Sequence, residues 1–172
     1  MSEAVIAPLD LPESIASRVE MHPVEDLILH VLWDAFPDMK DDIVSLLPQN
    51  VDTHYGLMAL IRRADAQGVW DGDDRFIDYA GLEVHVYASG IDADEKAAHF
   101  SEAIRVALRD AWRNPVYYKG LGQLKKVHLT EEPRRRTDWM PSAGPVQYAD
   151  LPGDWTRYQA KYGLYIRRPV WG

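Results

Sequence analysis

The amino-acid sequence predicts an α+β domain: a mainly antiparallel four-stranded sheet packed by helices on one face, with a long loop before the last strand. Three observations lead there. Two segments carry apolar residues at helical spacing, four carry strand-like runs, and their succession is helix, strand, strand, helix, strand, strand. That order suits a sheet backed by helices on one side. There is no internal repeat or linker, so residues 23–172 are expected as a single domain behind an N-terminal arm, residues 1–22. Pro8 and Pro12 break the arm, and residues 13–21 could supply one short helix.

The first strong element is a helix over 24–36. Val24, Leu27, Ile28, Val31, Leu32 and Ala35 follow the i, i+3, i+4, i+7 pattern of one buried face. Pro23 suits the first helical position, and Pro37 stops the helix. A short helix is expected over 41–47, before Pro48. Residues 56–63 (GLMALIRR) are apolar up to Arg62, as in a strand covered on both faces. The Gly/Asp-rich residues 67–75 form a loop or hairpin tip. A second strand covers 82–89, with Leu82, Val84, Val86 and Ala88 on one face and Glu83, His85 and Tyr87 on the other.

The second helix spans 92–113, opened by a D-x-x-E capping box at Asp92 and Glu95 and stopped by Asn114-Pro115. Its inner stripe is Ala97, Phe100, Ile104, Ala107, Leu108 and Ala111. A third strand is expected over 123–131, with Leu124, Lys126, His128 and Thr130 opposed to Lys125, Val127 and Leu129. The last strand, over 155–168, alternates cleanly: Tyr158, Ala160, Tyr162, Leu164 and Ile166 against Arg157, Gln159, Lys161, Tyr165 and Arg167.

Composition narrows the function classes. The chain has 172 residues, and a domain of about 150 residues buries roughly 70% of its unfolded surface. Its net charge of −8 repels nucleic acid overall. Without cysteine there is no disulfide, thiolate nucleophile or thiolate metal site. No apolar run approaches the roughly 18 residues of a membrane helix, and the first ten residues lack a secretory pattern. The expectation is a soluble protein that stays in the cytoplasm, with no cofactor.

The candidate chemistry is thin. The six histidines lack the H-x-x-x-H spacing of a helical metal pair, and His85 and His128 read as ordinary surface histidines. DGDD, with Asp71, Asp73 and Asp74, departs from the spacing of a calcium loop and reads as a tight turn. KGLGQ is followed by a strand rather than by a helix with free N–H groups, so it is not a phosphate loop. No G-x-S-x-G occurs. An enzyme reading therefore has no constellation behind it.

The exception is residues 133–148, PRRRTDWMPSAGPVQY. Arg134, Arg135 and Arg136 sit beside Glu131, Glu132 and Asp138, a poor footprint for nucleic acid. Arg, Trp, Tyr and Met are interface residues, and prolines 133, 141, 145 and 152 stiffen what reads as a loop over 133–154. This predicts a docking arm. Trp139 and Met140 are its apolar anchors, the arginines are its charged partners, and Tyr148 and Trp155 are further contacts. The acidic loop with Asp71, Asp73 and Asp74 is a second candidate interface.

Taken in order, VEDLILHVLWDAFPD, GLMALIRRADAQGVWDGDDRFIDYAGLEVHVYAS, DADEKAAHFSEAIRVALRDA and, after the Pro/Trp/Tyr loop, WTRYQAKYGLYIRRP resemble the tail terminator proteins of long-tailed bacteriophages. The resemblance covers roughly residues 24–169 and rests on the succession of elements, not on one motif. It implies a virion protein at the head-proximal end of the tail, assembled in the host cytoplasm. There a six-subunit ring stops polymerisation of the tail tube and joins the head-side connector, while DNA passes through its lumen without sequence-specific binding. It implies no catalytic residue. Six copies would carry on the order of −50 charges, favouring DNA sliding over sticking. The alternatives are an adaptor, commonly helical, a stopper, commonly a small β-barrel, or a small ligand-binding or enzyme domain with a deep polar pocket.

Overall fold

The computed structural model describes residues 11–16, 23–48, 56–64, 77–136 and 155–169. The fold is α+β, and the sheet is mainly antiparallel, but among the described residues it has six strands rather than the expected four and one of its pairings is parallel. In chain order the elements are α1 (Glu13–Ala16), α2 (Val24–Ala35), a 3-10 turn (Pro37–Met39), β1 (Ile43–Val44), β2 (Leu57–Ala64), β3 (Ile77–Ser89), α3 (Ala93–Arg113), β4 (Tyr117–Tyr118), β5 (Gly122–Arg136) and β6 (Trp155–Arg167). Across the sheet the strands run β1-β2-β3-β6-β5-β4. Only β1 and β2 pair in parallel. The last strand therefore slots between β3 and β5, which run the same way with α3 connecting them.

Helix α2 starts one residue after Pro23 and buries Val24, Leu27, Ile28, Leu29, Val31 and Leu32. The Phe36 N–H closes it on the Leu32 carbonyl. Residues 41–47 do not form the expected helix. Asp42 offers its carbonyl to the Ala59 N–H at 2.8 Å, and the Trp33 indole donates to the Ile43 carbonyl at 3.0 Å. These non-local bonds draw β1 onto the sheet edge. Helix α3 buries Ala93, Ala97, Phe100, Ser101, Ile104 and Leu108. Asp92 precedes it without the expected side-chain cap; its carboxylate lies 3.9 Å from Lys96 instead. Phe36 meets Phe100 edge-on at 5.6 Å, locking α2 to α3.

The main core fills the space between these helices and one face of the sheet. Ala59 and Ile61 from β2, Leu82, Val84, Val86 and Ala88 from β3, and Ala160, Tyr162, Leu164 and Ile166 from β6 all point there. Each fully buried Leu or Ile contributes about 1.5–3 kcal/mol. The alternation expected for β6 holds. That for β5 does not, because a register shift at Lys125 places both Leu124 and Val127 on the helix side. On the opposite face Met58, Leu60, Tyr87 and Trp155 form a smaller buried cluster.

Two strands outrun their expected limits. β3 begins at Ile77 and pairs with β6 along its whole length. β5 continues through Pro133 to Arg136. Pro133 sits inside a register shift between Glu131 and Arg134, where its missing N–H costs no ladder bond.

Candidate functional site: the open sheet face and its arginine strand

The run Arg134-Arg135-Arg136 lies on a strand, not in a loop, which corrects the expectation for these three positions. They pair with Gln159, Tyr158 and Arg157 of β6. Strand alternation then divides them. Arg135 turns to the helix side, its guanidinium 3.4 Å from Asp94. Arg134 and Arg136 turn to the face opposite the helices, and both grip Glu131. The arginines find acidic partners within the chain, as the neighbouring glutamate suggested.

From Glu131 a polar ladder crosses three strands. Lys161 lies 3.8 Å from Glu131 and 3.7 Å from Glu83. Arg136 donates to the Gln159 side-chain oxygen at 2.7 Å, and the Gln159 amide donates to Glu83. Glu83 in turn meets His85 Nε2 at 3.3 Å. An isolated exposed pair contributes about 0–1 kcal/mol, but this network shares its partners and so ties the β5–β6 hairpin to the sheet centre. Among its charged members the cations Arg134, Arg136 and Lys161 outnumber the two glutamates. The face is thus locally basic in an acidic chain.

His85 is not the expected surface histidine; it is 2% exposed. Burial pushes its pKa below the ordinary value, against the pull of Glu83 and with help from Arg157 and Arg62. The hydrogen bond with His85 is the main cause holding the Glu83 carboxyl down at about 2, aided by Lys161 and Gln159. The two shifts act on stability in the same direction. Folding favours neutral His85, so its contribution is full above about pH 6.5 and declines as the pH falls below that. The Glu83 contribution is full above about pH 4.5 and is lost toward pH 2. The denaturation midpoint is therefore expected to drop between about pH 7.5 and 5.5, and His85→Gln to flatten that drop. Equilibrium urea unfolding at the two pH values checks this. A variant that slopes as steeply as the wild type would show that His85 is not the group responsible.

At the other end of the face, Tyr79 lies over Gly163, where a Cβ would stand 2.6 Å from the tyrosine oxygen. Tyr79 and Tyr165 sit 5.0 Å apart, His128 meets Tyr165 at 5.4 Å, and the Lys126 ammonium is 5.8 Å from the Tyr165 ring centre. His128 and His85 occupy different ends of the face, opposite Gly163 and Gln159 of β6. Among the described residues no three His, Cys, Asp or Glu side chains cluster as a metal site.

Trp155 is 6% exposed and packs edge-on against Tyr87 at 6.4 Å, inside the smaller cluster. Trp139, Met140, Tyr148, Asp71, Asp73 and Asp74 lie outside the described residues. Sequence reading missed the ladder. Its residues alternate regularly on β3 and β6, but on β5 a register shift puts Glu131 and Arg134 on one face, and only the insertion of β6 between β3 and β5 brings the three strands' members together.

The outer edge of β5 is the other open feature. β4 covers only Gly122 and Gln123, and over residues 124–136 no described strand pairs with that edge. Three register shifts, Pro133 and a run of charged side chains interrupt it. Such features guard an exposed edge against indiscriminate pairing. Among the described residues no helix is long and apolar enough to cross a membrane. No family model matches the chain, and neither does the sequence of any curated protein.

Proposed function

We propose that this chain is a subunit of a structural ring, a tail-terminator-like cap on the head-proximal end of a phage tail tube. One observation carries most of the reading: the long β5–β6 hairpin. Among the described residues no strand pairs with its outer edge over thirteen residues, and β5 ends in arginines fixed in place by Glu131 and Asp94. A guarded edge with fixed charges suits one specific neighbour, and identical neighbours related by rotation close a ring. The order of elements adds to this, through the resemblance to tail terminators. A sheet backed by two helices on one face also differs from the helical adaptor and the small β-barrel stopper. Glu83 and His85, the groups on this face with displaced pKa values, are engaged with each other rather than aimed into a pocket.

The test is electron microscopy of particles made by a phage whose copy of this gene carries a stop codon. Overlong tails beside DNA-filled, unjoined heads are the expected outcome. Tails of normal length beside leaking heads would move the protein to the head side of the connector. Infectious particles of normal form would remove the structural reading altogether.

A further inference from the structure

The helix side carries an apolar groove of about 600 Å³, between the C-terminal halves of α2 and α3 and over the start of β5. Ala103, Ala107 and Ala111 of α3, Val31 of α2 and Leu124 of β5 are among its lining residues. Its only charged lining groups are Asp34 and Asp110, and both are engaged within the chain. Asp34 accepts from the Tyr118 hydroxyl at 2.6 Å, and Asp110 lies 3.4 Å from the Arg109 guanidinium. Arg113 and Lys119 each adjoin a lining residue in sequence, are exposed, and form no ion pair with a described residue. The groove therefore suits an apolar segment that brings an acidic group.

This chain has such a segment in α1. The Ile15 and Ala16 N–H groups close its turn on the Pro12 carbonyl at 2.9 and 3.0 Å. None of residues 11–16 is buried, and Leu11 and Ile15 are 40% and 51% exposed. Helices shorter than about 12 residues are marginal in water on their own hydrogen bonds, so one of four residues needs a surface to hold its form. To that surface α1 offers two large apolar side chains and one charge, Glu13. Residues 17–23 separate α1 from α2, a tether long enough to leave the choice of groove to packing. Within the single chain α1 is exposed along its length and the groove is open. One copy thus leaves both halves of the contact unmade, as expected where the contact forms between copies.

We infer that the groove between α2 and α3 receives Leu11 and Ile15 of a second copy of this chain, with Arg113 and Lys119 meeting that copy's Glu13. The inference rests on the ring reading and names its joint. Each copy gives one arm and receives one, and such a head-to-tail contact closes into a ring where the rotation permits. Docking takes the apolar surface of arm and groove out of water together, which drives association.

The chain has no cysteine, so introduced cysteines report without background. Full-length Ile15→Cys protein is mixed with full-length Ala107→Cys protein, assembled on tail tubes and oxidised. Disulfide-linked dimers of the two variants are expected, well above the dimers that either variant forms alone. The double variant, with both cysteines in one chain, is expected to give a series of linked copies. A double variant that stays a single chain closed by an internal disulfide would put the arm in its own groove and overturn the inference. Assemblies that form without the mixed disulfide would overturn the joint and leave the ring reading standing. Protein that stays monomeric with and without tubes would overturn both. As a second measurement, Leu11→Ser combined with Ile15→Ser is expected to weaken self-association about tenfold or more. Its urea midpoint should not change, because neither side chain is buried in the single chain. Unchanged association of that variant would also overturn the joint.

Discussion

Trp155→Ala is expected to cost about 3–5 kcal/mol of folding free energy, a large part of the about 5–15 kcal/mol that holds a domain together. Trp155 was legible as an aromatic beside a Pro-rich stretch, and on sequence alone it joined the candidate contacts of the docking arm. The structure buries it. It opens β6 opposite Ser89 and lies edge-on to Tyr87, in one cluster with Met58 and Leu60. Removing the indole empties the centre of that cluster, and a sheet pinned on its far side by the helices has little freedom to collapse into the space. The cost should also reach the hairpin, since Trp155 is the first residue of the strand that pairs with both β3 and β5. Urea unfolding of the purified variant reads the effect. A loss below about 1 kcal/mol would mean that this face is loosely packed and that the tryptophan is free for another role.

Trp155 shows where sequence stops being informative. Period and breakers located α2, α3, β2 and β6 because those signals are local: apolar spacing, Pro37, Asn114-Pro115, clean alternation. Partner choice is not local. Nothing in β6 itself says that it will lie between β3 and β5, yet that placement creates the ladder from His85 through Glu83, Lys161 and Glu131 to Arg136. The same pairing extends β5 through Pro133 to Arg136, so the first four residues of the expected loop are strand. The register shift at Lys125 was equally invisible, and it moves Leu124 from the face assigned to it onto that of Val127. β1 fails for a related reason. Residues 41–47 look helical alone, and they are captured by Ala59 and Trp33, both distant or sequentially separate partners. The arginine run was legible as an oddity, and Glu131 was legible as a partner, but Asp94, which meets Arg135, was not. The direction in which each arginine points required the strand.

Gly122→Val is expected to be the other most damaging single change, about 2–5 kcal/mol, from backbone strain plus a forced displacement. Gly122 opens β5 with φ +97°, in the left-handed region that a β-branched residue avoids. A Cβ there would stand 2.3 Å from the Arg167 carbonyl oxygen, and that oxygen belongs to the backbone of the neighbouring strand's last residue. No rotamer relieves such a contact, so the corner or the end of β6 must move. The corner is the short β4–β5 turn, in which Tyr118 pairs with Gly122 and the Leu121 N–H closes on the Tyr118 carbonyl. Tyr118 also donates to Asp34 of α2 at 2.6 Å, so the strain reaches the contact that ties this corner to the helix. Urea unfolding of the purified variant reads the loss, and a change below about 1 kcal/mol would show that the corner relaxes around the new side chain.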